Sequence, residues 1–399
     1  MVCLRSAAMT VTPAAAPRHV AIDWCRGLIM ILMALDHVRY FFTNVPFAPE
    51  NIEKTWLALF LTRWVTHLCA PGFFFLGGVS AALSTRRRGE PAPMHLVRRG
   101  LLLIALELTI IGFAWQFSPG YSFAGVIWCL GWSMIVLAGC VRLHPVVLGS
   151  IASVIIAGHD ALMAIPPARF GVLEPVWRLL HVPGAVSMGS VEWFVLFPLI
   201  PWCAVMMLGY AMGPLWAERS EFRNRVLMWS GTAATLLFLL LRMTNSYGNS
   251  PEGWGGGRAP FIVYPSAVKT FISLLNLAKY PPSLQYLLMT LGPLLIALAL
   301  LDRFRVSSQP IVVFGRVPFF FYLLHLYAIH LAALLLARIN GQPSAWLGFP
   351  GGDSAPPGYG YGLGVVYAVW LAILVALYWP CRAYDAFKRT HHVAWTRYV

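Results

Sequence analysis

Apolar residues dominate the chain in long blocks broken by short polar segments. Runs long enough to span a bilayer as helices, about 20 residues each, fall at 20–42, 57–83, 97–117, 121–141, 145–164, 193–213, 226–242, 283–302, 311–338 and 361–380. The pattern predicts an all-α, polytopic membrane protein of about ten transmembrane helices. The run at 226–242 is short, and 311–338 is long enough to tilt or break. The connections 165–192, 243–282 and 339–360 are rich in Gly, Pro and aromatic residues. Loops of that length and composition are suited to shaping a pocket mouth.

The first run, HVAIDWCRGLIMILMALDHVRYFF from His19 to Phe42, departs from a plain anchor because it contains Asp23, Arg26, Asp36 and His37. Each charge at membrane depth costs roughly 2.5–3.5 kcal/mol on insertion scales, so such groups are rare and usually functional. At about 100° per residue, Asp23, Arg26 and His37 fall on one narrow stripe, and Asp36 faces elsewhere. Asp23 and His37 are separated by about 21 Å along the axis. One helix face thus carries a charged pair near one end and a titratable imidazole near the other.

Charge settles orientation more than identity. The net charge is +14, but only 11% of residues are charged and 59% are hydrophobic. Lys and Arg cluster in loops flanking the apolar runs, which suits topology and anionic lipid better than nucleic acid. The loop RRRGEPAPMHLVRR, Arg86 to Arg99, holds five arginines and is expected in the cytoplasm. Counting outward from it predicts cytoplasmic termini: a tail over 1–18, a transmembrane domain over 19–382 and a basic tail over 383–399. The long connections are then external. Residues 1–18 lack the apolar core of a signal peptide. The seven cysteines include no CxxC pair, so neither a disulfide framework nor a metal site is expected. No P-loop, GxSxG, HExxH or dinucleotide glycine run is present.

Other segments carry candidate chemistry. In TRWVTHLCAPGFFFLGG, Arg63 and His67 are four residues apart and share a helix face, and Pro71-Gly72 interrupts the run. In KYPPSL, Lys279 and Tyr280 stand just before a helix start, as interfacial anchors or substrate contacts. In VVFGRVPFFFYLLHLYAIHL, Arg316 and His330 repeat the separation of Asp23 and His37 and share a face if the run is one helix, with His325 nearly opposite. Gly77-Gly78 and the Gly209/Gly213 pair allow close helix packing.

These segments, AIDWCRGLIMILMALDHVRYFF, TRWVTHLCAPGFFFLGG, FPLIPWCAVMMLGYAMG, KYPPSL and FGRVPFFFYLLHLY, taken in order, resemble bacterial relatives of heparan-alpha-glucosaminide N-acetyltransferase, a group of transmembrane acyltransferases. The D-x-x-R-G opening is shared widely among membrane acyltransferases, whereas DHVR and KYPPSL are narrower. The resemblance implies an inner-membrane enzyme that takes an acyl group, acetyl in the first instance, from cytoplasmic acyl-CoA. It passes that group to an amine or hydroxyl of an external, carbohydrate-like acceptor. In the lysosomal enzyme a histidine in the loop after the first shared helix is held essential. The corresponding loop here, FTNVPFAPENIEKTWLALFL, has none, and His67 stands where the enzyme has an Asp.

The catalytic candidates are therefore His37, His67 and Asp36. Asp23, Arg26 and Arg316 are the candidates for the acyl-CoA end. Arg63, Lys279, Tyr280, His325 and His330 are those for the acceptor. Direct transfer and an acyl-enzyme both fit, and a homodimer is compatible with the pattern. The competing class is a proton-coupled transporter using intramembrane His and Asp, but the inverted repeats and paired broken helices common there are not evident.

Overall fold

The computed structural model describes residues 19–88, 93–120, 122–189, 191–251, 255–348, 356–391 and 393. The expected 1–18 tail, the middle of the basic loop (89–92), and residues 392 and 394–399 of the expected C-terminal tail lie outside the described residues.

Most of the helices follow the apolar runs, and the connections 165–192 and 243–282 each hold a further short helix. They are α1 Val20–Phe42, α2 Leu57–Trp64, α3 Cys69–Arg88, α4 Pro93–Leu106 and α5 Gly112–Gln116. Next come α6 Val126–Cys140, α7 Pro145–Leu162, α8 Glu174–Leu180, α9 Leu199–Met212 and α10 Ser220–Thr244. The last are α11 Ala267–Leu275, α12 Leu284–Arg303, α13 Gln309–Arg316, α14 Pro318–Ile339 and α15 Leu363–Thr390. A 3-10 turn, Val65–Leu68, joins α2 to α3, and a π turn, Glu107–Ile111, joins α4 to α5. Among the described residues, seven helical segments are long and apolar enough to cross a membrane. The 23-residue α1, with its Asp and Arg residues, is not one of them.

The chain is mostly helical, but the 165–192 connection ends in strand. β2 Gly184–Met188 pairs antiparallel with β3 Val191–Val195, and β1 Phe123–Ala124 adds parallel to β3 with Phe123 opposite Phe194. Short hairpins satisfy their own backbone groups, which lets a loop at the bundle's end stay ordered.

α1 is the hub, packed against α3, α12, α13, α14 and α15. Its approach to α13 is close because both helices offer glycine at the crossing. A Cβ on Gly315 would overlap the Asp23 carbonyl oxygen, and one on Gly27 would overlap that of Ile311. α3 meets α9 in the same way, with Gly78 against the Met206 carbonyl and Gly209 against that of Phe75. Small residues bring helix backbones together where lipid offers no hydrophobic drive between them.

The run 311–338 is two helices. Pro318 lacks an N–H and restrains the residue before it, and Val317 accordingly leaves the helical region at φ −127°, ψ 48°. Arg316 therefore ends α13 while His330 belongs to α14, which corrects the expectation of one shared face. α15 continues beyond position 382 to Thr390.

Candidate functional site

The stripe on α1 faces the α13–α14 segment along its length. At its first end Arg26 Nη1 meets Asp23 Oδ1 at 3.3 Å and donates to the Gly315 carbonyl at 3.1 Å, while Nη2 donates to Ser80 Oγ at 2.7 Å. Arg316 lies 3.8 Å from Asp23 and 3.4 Å from Asp385, which also meets Arg389 at 3.4 Å. Asp23, Arg26 and Arg316 are thus one cluster.

At the other end of the stripe, His37 Nδ1 lies 2.7 Å from His325 Nε2. His325 Nδ1 lies 3.0 Å from the Phe321 carbonyl oxygen one turn earlier. A carbonyl only accepts, so His325 carries its proton on Nδ1 and its Nε2 is the acceptor. His37 must then donate from Nδ1. In a neutral pair that assignment leaves the lone pair of His37 on Nε2. Trp115 and Tyr322 stand edge-on to the His37 ring at 5.0 and 6.4 Å between centroids. His325 itself is fully buried and stacks on Phe321. The geometry fixes the tautomer and the ring plane together, because the hydrogen bond made by one ring nitrogen decides what the other can do.

Beside this pair lies a closed set of charges. Asp36, one residue before His37 and on a different face, receives Arg63 Nη1 at 2.6 Å and Arg39 Nη2 at 3.0 Å. Arg63 Nε reaches Glu50 Oε1 at 2.8 Å. Burial alone would push the Glu50 carboxyl up, but Arg63, followed by His67 and Arg39, outweighs it and holds the group at about 2 rather than 4.5. Two guanidinium groups face two carboxylates in this set.

His67 sits on the 3-10 turn between α2 and α3, 1% exposed, with neither ring nitrogen hydrogen-bonded. The irregularity falls before Pro71, and α3 runs through the proline. Pro71 has no N–H for the carbonyl four residues back, and Tyr286 Oη donates to that His67 carbonyl at 2.8 Å instead. Tyr286 stands in the first turn of α12, two residues past KYPPSL, so Lys279 and Tyr280 come to the same end of the bundle as His67. Lys279 is largely buried, its Nζ 5.2 Å from the centre of the Tyr280 ring.

His330 is set apart from these groups. Its Nδ1 lies 2.8 Å from the Ala114 carbonyl, and its ring stacks between Phe117 and Phe41 at 4.1 and 4.7 Å.

The family model for heparan-alpha-glucosaminide N-acetyltransferase, catalytic, matches residues 18–244, more than half of the chain. The chain belongs to this family. The matched stretch includes α1, the Glu50 loop, Arg63 and His67. His325 and Asn276 lie beyond it. No curated protein matches the chain.

Glu50, Trp115 and Tyr322 join the site without having been singled out by sequence. Glu50 is a loop acid whose partner is 13 residues away and on another element, and no periodic pattern carries that pairing. Trp115 had one available signal: it lies one turn beyond a π turn, a feature frequent at functional sites but invisible in an apolar run.

Proposed function

We propose that the chain is a transmembrane acetyltransferase in which His37 Nε2 is the general base. The observation that carries this reading is the Phe321–His325–His37 chain of hydrogen bonds, which leaves His37 Nε2 as the open acceptor. The acceptor's amine or hydroxyl gives its proton to that nitrogen as it attacks the thioester carbonyl of the acyl group. The new C–N or C–O bond forms, the C–S bond breaks, and the proton passes on to the departing CoA thiolate. General-base assistance of this kind contributes typically 10²–10⁴-fold.

The donor is acyl-CoA, acetyl-CoA in the first instance, entering from the cytoplasm. Asp23, Arg26 and Arg316 form its phosphate end, with Asp23 holding the two guanidinium groups in place. The stripe from there to His37 is about 21 Å long, a span that a pantetheine arm can cover. His325 is a positioning residue for His37. Asp36 holds Arg63, which with His67, Lys279 and Tyr280 faces the acceptor, and His330 packs the aromatic layer behind them. The acceptor is external and carbohydrate-like. The topology is ten spans in the inner membrane, with both termini and the 84–99 loop in the cytoplasm, supported by the excess of Lys and Arg on that side.

The test is acetyl transfer in proteoliposomes. Acetyl-CoA is supplied on one face and an amino sugar on the other, and both free CoA and acetylated sugar are measured. The reading predicts stoichiometric release of both. Accumulation of unmodified sugar in the lumen, without CoA release, would instead favour the proton-coupled transporter.

A further inference from the structure

The connection that follows α10 turns its apolar residues outward. Ile262, Val263, Val268 and Phe271 are all exposed, Val263 at 74%. Val268 and Phe271 are three residues apart in α11 and share a face.

The polar groups of the same segment are used inward. Ser273 is buried, and its Oγ accepts the Ile262 N–H at 2.9 Å. Thr270 Oγ1 accepts the Tyr264 N–H at 2.9 Å. Lys269 Nζ reaches back to Glu53 Oε2, on the loop after α1, at 3.0 Å. Asn276 Nδ2 donates to the Glu50 backbone carbonyl at 2.8 Å, and α11 packs against α2. A connection facing water would bury its apolar side chains and expose its polar ones, because apolar surface is what water disfavours. The reverse arrangement marks an interaction surface.

What lies against that surface follows from α10, one of the segments long and apolar enough to cross a membrane. Its exposed Leu236, Leu240 and Met243 form a stripe at helical spacing. The end of α10 is tied to the connection at two points. Asn245 Nδ2 donates to the Phe261 carbonyl at 2.9 Å, and its Oδ1 accepts the Phe261 N–H at 2.7 Å. Arg242 donates to the carbonyls of Ser273, Leu274 and Asn276, the last of α11, which lack partners within the helix. Segment 261–276 is therefore held at both ends by the last turn of a membrane span. The apolar patch begins beside the point where the outward stripe of α10 stops. At the start of α2, Trp56 is exposed, a residue type enriched at the level of lipid headgroups.

We propose that segment 261–275 is a membrane-surface element, with Ile262, Val263, Val268 and Phe271 entering one lipid leaflet beside α10. Its partner is the leaflet itself, and the Lys269–Glu53 pair stays on the watery side. Apolar faces of this kind sit about 5–10 Å into the boundary between headgroups and acyl chains. The connection is then no loop free in water, and the Lys279–Tyr280 segment that follows it is held close to the headgroups.

Spin-label accessibility on the full chain in liposomes tests this. Val263→Cys, Val268→Cys and Phe271→Cys are labelled singly, and the parent chain's own labelling is subtracted. Lys54→Cys, at an exposed position in the loop after α1, is the water-facing reference. At each of the three positions the ratio of collisions with oxygen to collisions with a nickel chelate is expected to be several-fold above that at position 54. Three separate positions keep one misfolded variant from deciding the outcome. Ratios equal to the reference would show a patch in water and overturn the proposal. So would protection from both reagents, the result expected if a second copy of the chain covers the patch instead.

Discussion

The two ends of α1 are built from similar charges and do different things with them. At the Asp23 end, guanidinium groups and carboxylates answer one another across α1, α13 and α15. At the His37 end, Asp36, Glu50, Arg39 and Arg63 are just as closed. The difference is the imidazoles added there. His37 is tied at one nitrogen and open at the other, and His67 is buried with neither nitrogen bonded. Paired charges at membrane depth are expensive to break and so make a scaffold. A histidine fixed at one nitrogen makes a site for proton transfer.

The largest effect that could break this contrast is on turnover. His37→Ala is expected to lower kcat by about 10²–10⁴-fold, with acetyl-CoA binding by calorimetry close to the parent's. His67→Ala should lose less, chiefly as a higher acceptor KM. Similar losses from both variants would erase the distinction between a tied and an untied imidazole.

Breaking the scaffold should show in stability. Arg63→Ala leaves Asp36 and Glu50 without their shared partner, and removing one member of a buried ion pair costs about 3–5 kcal/mol. Thermal unfolding in detergent is the measure. A cost within that of an ordinary surface change would mean the network contributes little. At the other end of α1, Gly315→Ala forces a methyl into the Asp23 carbonyl. Overpacking of this kind costs about 1–3 kcal/mol, and an unchanged Tm would show that α1 and α13 can separate freely.

The smallest effect is a pH dependence. The Glu50 carboxyl is held at about 2, below its ordinary 4.5. With the folded value below the unfolded one, its contribution is complete above about 4.5 and is lost as the pH falls through about 2. Glu50→Gln should therefore lower Tm at neutral pH, and its deficit should shrink as the pH is taken down through that window. A deficit constant with pH would remove the Glu50–Arg63 pair from the account.

What the sequence reveals and what it hides divide along chain distance. Hydrophobic runs report single helices, so the positions of the helices and the stripe of Asp23, Arg26 and His37 are legible from periodicity. The turned-away face of Asp36 is legible too, and Arg63 on a neighbouring helix is what it meets. The wheel fails where one run hides two helices. Pro318 splits α13 from α14, and His325, placed opposite Arg316 on a continuous wheel, is the residue that reaches His37. Glu50, Asn276 and the β2–β3 hairpin were out of reach for another reason. Their roles depend on loops returning to the bundle, and no local period encodes that return.

The central claim is that His37 carries its lone pair on Nε2. Solid-state NMR of the protein labelled with ¹⁵N-histidine in lipid reads this directly at neutral pH. The expected result is a protonated Nδ1 and a bare Nε2 on His37, with the Nδ1 proton bridging to His325 Nε2, and with Nδ1 protonated on His325. A His37 ring protonated at Nε2 with Nδ1 bare would contradict the assignment, and the general base would have to be sought at His67.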